Sequence, residues 1–303
     1  ASAVLFTRLI RELGPRGTQF EYRACGYSPG QTRGDELLSG DDNAILDYRF
    51  ANSPRLGWYF DHHRTAFSSE EDRNACAAKQ GAGRFFYDAA YSSCTKLIAD
   101  VSRDHFGMDP SDLSELVSWA DRVDSASFDN AEQAVSRTDP VMQLVSVIEH
   151  YGDDAFLQKM VPELLQRPLS ELSASGEVRD RYRPLGKKHD RFVQRVRDKG
   201  ERRGRVIFVD LTETVLETVG KFVTYALYPD SVYSVVVGRL KSGPKISVGY
   251  NPWSGRPLDT DISAICARYG GGGHPVVGGI AFGLHELERA RSIADQIANE
   301  LAG

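Results

Sequence analysis

Apolar residues recur at helical spacing from the start of the chain: Leu5, Phe6, Leu9, Ile10 and Leu13 lie on one stripe that stops at the breaker "GPRG". The pattern then shortens. "AILDYRF" reads as a strand ending in Asp47 and "LGWYF" as a second ending at Asp61, with Pro and Gly between them. Helical spacing returns in "RFFYDAAYSSCTKLIADV" through Phe86, Ala90, Cys94, Leu97 and Val101. It recurs in "SDLSELVSWADRVDSASF" through Leu113, Leu116, Val117, Ala120 and Val123, with Ser111 as the expected cap. From Pro168 to Arg205 charge dominates, and the stretch reads as a linking helix. Strand signals resume in "RVIFVDL", "SVYSVVVGRL" and "KISVGY". The last two are joined by "KSGP" as a hairpin, and "ELERARSIADQIANEL" closes the chain as a helix.

These elements predict an α/β protein. It has a first domain over residues 1–167 with a mostly parallel sheet and flanking helices, a linker helix over 168–205, and a smaller mixed α/β domain over 206–303. A length of 303 residues with 41% hydrophobic and 26% charged content supports two cores. No apolar run is long enough to span a bilayer and the N-terminus lacks a signal-peptide core, so a soluble cytoplasmic protein is expected. Cys25, Cys76, Cys94 and Cys266 have no paired spacing, which suits neither a disulfide framework nor a thiolate zinc site and predicts reduced core cysteines. A net charge of -5 argues against broad capture of long nucleic acid.

The chemistry concentrates in "GWYFDHHRTAF", where Asp61, His62 and His63 are consecutive. Imidazole with carboxylate suits a divalent cation such as Mn²⁺ or Zn²⁺. Adjacent side chains at a strand end cannot all face one ion. One histidine is therefore expected on the metal and the other toward substrate, with the aspartate either ligating or orienting a ring. Asp47 ends the neighbouring strand, at the carboxyl edge where open α/β sheets bind ligands. Asp121 and Asp124 share a helix face, Asp124 in the middle of the apolar stripe and Asp121 at its edge. A carboxylate turned inward needs a partner or a metal, and Arg122, Arg64 or a linker arginine are alternative partners. In the second domain "YGGGGHPVVGG" places His274 behind four glycines, more than a tight turn requires. "SVGYNPWSG" could turn Asn251 and Trp253 toward a base or equally be an ordinary strand end, while His105, His150, His189 and His285 read as structural or surface residues.

"WYFDHHRTAF" resembles the Asp-His-His motif of the DHH phosphoesterase superfamily, and "WADRVDS" resembles its later aspartate motif. "YGGGGHPVVGG" is similar to the Gly-Gly-Gly-His signature of the DHH-associated C-terminal domain. The resemblance implies a Mn²⁺-dependent hydrolase, with two ions in a complete site and Mg²⁺ or Co²⁺ as substitutes. It would cleave phosphodiester or phosphomonoester bonds of short oligonucleotides or small nucleotides by metal-activated water. The alternatives are an exopolyphosphatase-like phosphoanhydride hydrolase and a catalytically weakened nucleotide-binding member. No membrane partner is expected, and a homodimer is compatible with this reading.

The implied roles are Asp61, His62 and His63 in catalysis, with Asp61 holding the histidine ring and His63 touching phosphate. Asp47, His62, Asp121 and Asp124 would bind metal, and His63, Arg64, Gly271, Gly272, Gly273 and His274 would bind substrate. Family members also carry a His-x-Asp-x-Asp-Gly type motif on a strand ahead of the first helix. This sequence opens inside what resembles that helix, so the motif is expected upstream of Ala1. Without it the residues supply one metal site, and a second retains little beyond Asp47.

Overall fold

The computed structural model describes residues 1–25, 37–216 and 222–303. In chain order the first elements are α1 (Ser2–Leu13), β1 (Asn43–Leu46), β2 (Leu56–Asp61), α2 (Glu70–Gln80), β3 (Phe85–Tyr87), α3 (Cys94–Asp104) and α4 (Ser114–Asp124). Next come α5 (Ala131–Val135), α6 (Pro140–Tyr151), α7 (Asp154–Gln166), α8 (Leu169–Ser173) and α9 (Gly176–Lys199). The remainder is β4 (Gly200–Arg203), β5 (Val206–Leu216), α10 (Val223–Leu227), β6 (Tyr233–Leu240), β7 (Gly243–Tyr250), α11 (Ile262–Arg268), β8 (Gly272–His274), β9 (Val277–Ala281) and α12 (Leu287–Ala302). Residues 1–127 and 138–182 form one compact unit, and residues 128–137 and 183–303 a second. Among the described residues no helix is long and apolar enough to cross a membrane.

The first unit contains a parallel sheet in the order β1-β2-β3. β2 is buried at five of its six positions, as expected of a strand covered on both faces. Tyr59 points into a cluster with Leu38, Ile45, Phe50, Leu56, Cys76 and Phe85, and Trp58 and Phe60 point to the opposite face, where Phe6 of α1 meets both rings edge-on.

The segment from Phe86 to Val101 does not form one helix. Phe85–Tyr87 is a strand paired with Tyr59–Asp61, and the helix starts only at Cys94, capped by the Ser93 hydroxyl, which accepts from Lys96 N at 3.1 Å. Three aromatic residues fit a pleated, half-buried surface, and pairing with β2 outweighs the local helical spacing. Ser111 does not cap α4 either. It opens a 3-10 turn, and its own N–H donates to Asp109 Oδ1 at 2.9 Å. Cys25 is exposed, so of the four cysteines only Cys76, Cys94 and Cys266 are buried.

The second unit is a six-stranded mixed sheet in the order β4-β5-β6-β7-β9-β8. Alternation along β5 and β6 divides its core. Val206, Phe208, Val235 and Val237 pack with Ile262, Ile265, Ala294 and Ile297 of α11 and α12, while Ile207, Val209, Leu211 and Val236 pack with Val196 of α9 and Val223 of α10. β6 and β7 form the expected hairpin, with Leu240 opposite Gly243. The charged stretch ends differently from its sequence reading: Gly200–Arg203 leaves the helix and pairs antiparallel with Val206–Val209. The turn between them is closed by Gly204 at φ 55, a left-handed backbone that glycine adopts without a Cβ clash.

Asn251 and Trp253 serve the fold. Asn251 has no exposure, and its amide donates to the carbonyls of Pro229 at 3.0 Å and Ser231 at 2.8 Å. The Trp253 indole N–H donates to Phe128 O at 2.9 Å and its ring packs edge-on to Phe222.

The glycine run lies at the sheet edge, where Gly272, Gly273 and His274 pair with Gly279, Gly278 and Val277. A Cβ on Gly271 would come 2.3 Å from Gly279 O and 2.7 Å from Ile280 Cγ1, whereas one on Gly272 meets nothing within 4 Å. Gly271→Ala should therefore destabilise the protein by about 1–3 kcal/mol through overpacking, and Gly272→Ala should change stability by less than about 0.5 kcal/mol. Urea unfolding of the two variants checks this, and equal losses would contradict the backbone placement.

Candidate metal centre

Parallel pairing sets the first part of the site. Leu46 of β1 lies opposite Phe60 of β2, so the next residues, Asp47 and Asp61, leave the same sheet edge side by side. Asp47 N donates to Phe60 O at 2.9 Å. Asp47 then turns with φ 58, a left-handed conformation that costs a residue with a Cβ about 1–3 kcal/mol and tends to mark functional sites. The turn brings Asp47 Oδ1 to 3.4 Å from His62 Nε2 and 3.7 Å from His63 Nδ1.

Asp61 has no exposure to solvent, so its carboxylate must be satisfied from within. Oδ1 accepts from the backbone N–H groups of His62 at 2.8 Å and His63 at 3.2 Å, and from His63 Nδ1 at 2.7 Å. Oδ2 accepts from the Tyr59 hydroxyl at 3.0 Å. The ring that Asp61 holds is thus that of His63. This contact puts the proton on His63 Nδ1 and leaves Nε2 free to meet a ligand.

His62 is oriented by a different group. Its Nδ1 lies 3.1 Å from the Tyr91 carbonyl, which can only accept, so Nδ1 carries a proton and the lone pair of the neutral ring resides on Nε2. Nε2 is 3.1 Å from Asp124 Oδ2 and 3.4 Å from Asp47 Oδ1. These approaches, Asp124 first and then Asp47, raise the imidazolium pKa to about 10, with burial opposing them. Neither has the direction of a hydrogen bond, and Nε2 remains a buried nitrogen without a hydrogen-bond partner. Without an ion the two carboxylates favour the imidazolium, whose Nε2 proton a bound cation would displace.

That arrangement fits a divalent cation. Two donors each about 2.0–2.2 Å from one ion lie about 3.0 Å apart at right angles and about 3.4 Å apart at tetrahedral angles, which brackets the spacings around His62 Nε2. Asp47, Asp61, His62 and His63 offer donor atoms all within 4.8 Å of one another. Within that group Asp61 already accepts four hydrogen bonds, one of them from the His63 ring. Asp124 is not one of that group and reaches it through His62 alone; the Asp47 carboxylate with the His62 imidazole suits Mn²⁺, Zn²⁺ or Co²⁺.

The two helix acids separate. Asp124, in the last turn of α4, faces His62, whereas Asp121 is engaged at the start of α3: its Oδ1 accepts from the hydroxyls of Ser92 at 2.6 Å and Ser93 at 2.8 Å. Lys96 Nζ lies 4.0 Å from its other oxygen. Arg64 is exposed in the turn after His63. In the second unit Gly272, Gly273 and His274 are all exposed along β8. Cys94 lies beneath the centre and donates to Phe60 O at 3.3 Å; burial, then Asp47 and Asp61, pushes its thiol pKa well up, so it stays protonated.

Sequence reasoning did not identify Tyr59 or the Tyr91 carbonyl. Tyr59 was detectable in principle, because a residue two before Asp61 on a strand shares its face. A backbone carbonyl leaves no signal in residue type.

No protein-family model matches the sequence, and no curated protein matches it. Solved structures do. The pGpG-specific phosphodiesterase PggH from Vibrio cholerae superposes with a TM-score of 0.66 at 18% identity, covering 100% of this chain and 97% of that one. RecJ from Thermus thermophilus, in complex with Mn²⁺, gives 0.58 at 12% identity over 99% of this chain and 50% of RecJ. The DHH domain of a member of a ribosomal-protein family gives 0.52 at 12% identity over 80% of this chain and 63% of that one. With its Asp-His-His run at the end of a parallel strand, this chain has the fold of the DHH phosphoesterases.

Proposed function

We propose that this protein is a metal-dependent phosphoesterase acting on short oligonucleotides or small nucleotides, with Mn²⁺ as its cation. The observation that carries the proposal is His62 Nε2, a buried nitrogen with no hydrogen-bond partner, approached by Asp47 at 3.4 Å and Asp124 at 3.1 Å. Asp47, His62 and Asp124 would hold the ion. When bound, it would supply the Lewis acidity that phosphoryl hydrolysis requires.

The remaining residues divide the work of holding the substrate. Asp61 fixes the His63 ring through Nδ1 so that Nε2 is presented to the phosphoryl group, and the exposed Arg64 adds a cation next to it. In the second unit, the exposed edge strand Gly272–His274, with its backbone N–H groups and imidazole, is by itself a candidate surface for a phosphate or sugar. The free thiols of Cys25, Cys76, Cys94 and Cys266 suit a reducing, cytoplasmic setting.

Mn²⁺ titration monitored by electron paramagnetic resonance tests the ligand assignment. His62→Ala and Asp124→Asn should each weaken binding by more than about tenfold. Asp121→Ala should leave affinity within about threefold while lowering stability by about 1–3 kcal/mol, because it removes the acceptor for Ser92 and Ser93. If Asp121→Ala releases the ion and Asp124→Asn does not, the two roles are reversed.

The activity itself is tested with Mn²⁺ on dinucleotides, cyclic dinucleotides, nucleoside bisphosphates, polyphosphate and pyrophosphate. Hydrolysis confined to the nucleotide substrates is expected. His63→Ala should lower kcat by about 100-fold or more with metal retained, and His274→Ala should chiefly raise KM, by roughly tenfold. Turnover of polyphosphate alone would replace this reading with the phosphoanhydride one. No turnover of any substrate, with metal bound, would leave a nucleotide-binding protein.

A further inference from the structure

Tyr59 stands two residues before Asp61 on β2, on the same face of the strand, and is fully buried. Its ring packs edge-on against Phe50, with centroids 5.1 Å apart. Its hydroxyl lies 3.0 Å from Asp61 Oδ2 and 3.2 Å from the Tyr48 carbonyl. Tyr48 directly follows Asp47, the residue in the left-handed conformation. One hydroxyl thus reaches both sides of the centre: the carboxylate that orients His63 and the turn that carries Asp47.

We propose that Tyr59 is a positioning residue, whose buried hydroxyl ties the Asp61 carboxylate, and through it the His63 ring, to the backbone turn that carries Asp47. The catalytic consequence rests on the phosphoesterase reading, but the contact itself does not. Packing alone does not account for a tyrosine here, since phenylalanine would fill the same space without bringing a polar atom into a fully buried place. The phenol has one hydrogen for two acceptors, and the charged carboxylate at the shorter distance takes the larger share. Burial raises the phenol pKa, so the group remains a donor. Asp61 Oδ1 already accepts from three N–H groups. Without the hydroxyl, Oδ2 loses its donor in a site closed to water, and the carboxylate is free to rotate away from His63 Nδ1.

Tyr59→Phe, made in the full chain, tests the proposal. With Mg²⁺ present, proton NMR of histidine-labelled protein should reveal a low-field His63 Nδ1–H signal, assigned by its loss in His63→Gln. Tyr59→Phe should move that signal upfield and speed its exchange with water. Mn²⁺ affinity should stay within about twofold, and kcat on the preferred nucleotide should fall by about tenfold with KM within twofold. An unmoved His63 signal overturns the proposal, as does an unchanged kcat when the signal moves.

If the variant does not fold, the wild-type protein decides: a slowly exchanging Tyr59 hydroxyl proton supports the contact, and one in fast exchange with water overturns it. A wild-type protein inactive on every phosphoester would remove the phosphoesterase reading and leave the NMR result to judge the contact alone.

Discussion

A carboxylate with no access to water sets the geometry of this centre. Asp61 is satisfied inside the sheet edge because four donors converge on it: two backbone amides, the His63 ring and the Tyr59 hydroxyl. Each donor is thereby constrained in turn. The two amides fix the backbone as it leaves β2, the ring contact fixes the His63 tautomer, and the hydroxyl fixes the carboxylate plane. Leaving any one of these bonds unmade would cost the desolvation of a buried group, on the order of 1–3 kcal/mol and more for a charge. Consecutive histidines can therefore take different orientations, one tied to Asp61 and the other to the Tyr91 carbonyl.

The other half of the centre is under tension. Asp47 holds a left-handed backbone, and Asp47 and Asp124 direct two negative groups at one buried nitrogen that forms no hydrogen bond with either. Strain and like charge in one place are stable only where the surrounding structure fixes them, or where a cation relieves the repulsion. Parallel pairing of β1 with β2 provides the fixing through the Asp47 N–H bond to Phe60 O. Without an ion the His62 imidazolium offsets that charge, and the proposed cation would take its place.

Much of this was legible in the sequence. Strand ends at Asp47 and Asp61 follow from the period of 2 residues, whereas the helix stripe put Asp124 at its centre and Asp121 at its edge, and the structure leaves Asp124 the more exposed, 37% against 25%. The rest depended on tertiary contacts. Phe85–Tyr87 carries helical spacing yet becomes a strand because β2 offers a partner. Gly200–Arg203 has the charge of a solvated helix yet pairs with β5. Asn251 and Trp253 had the types to face a base, and the fold turns them to backbone carbonyls instead. The partners of Asp121 are serines from a segment whose helix begins later than its apolar spacing implies.

The central claim is that His62 Nε2, Asp47 and Asp124 aim at one cation. Crystals grown with Mn²⁺ and measured by anomalous diffraction at the manganese edge test it most directly. The account predicts an anomalous peak within about 2.0–2.4 Å of His62 Nε2 and of one oxygen from each carboxylate. It also predicts that Asp61 remains outside that sphere and bonded to His63. A peak coordinated by Asp61 or Asp121 in place of Asp124, or a His62 Nε2 hydrogen-bonded to Asp124 with no peak beside it, would contradict the account.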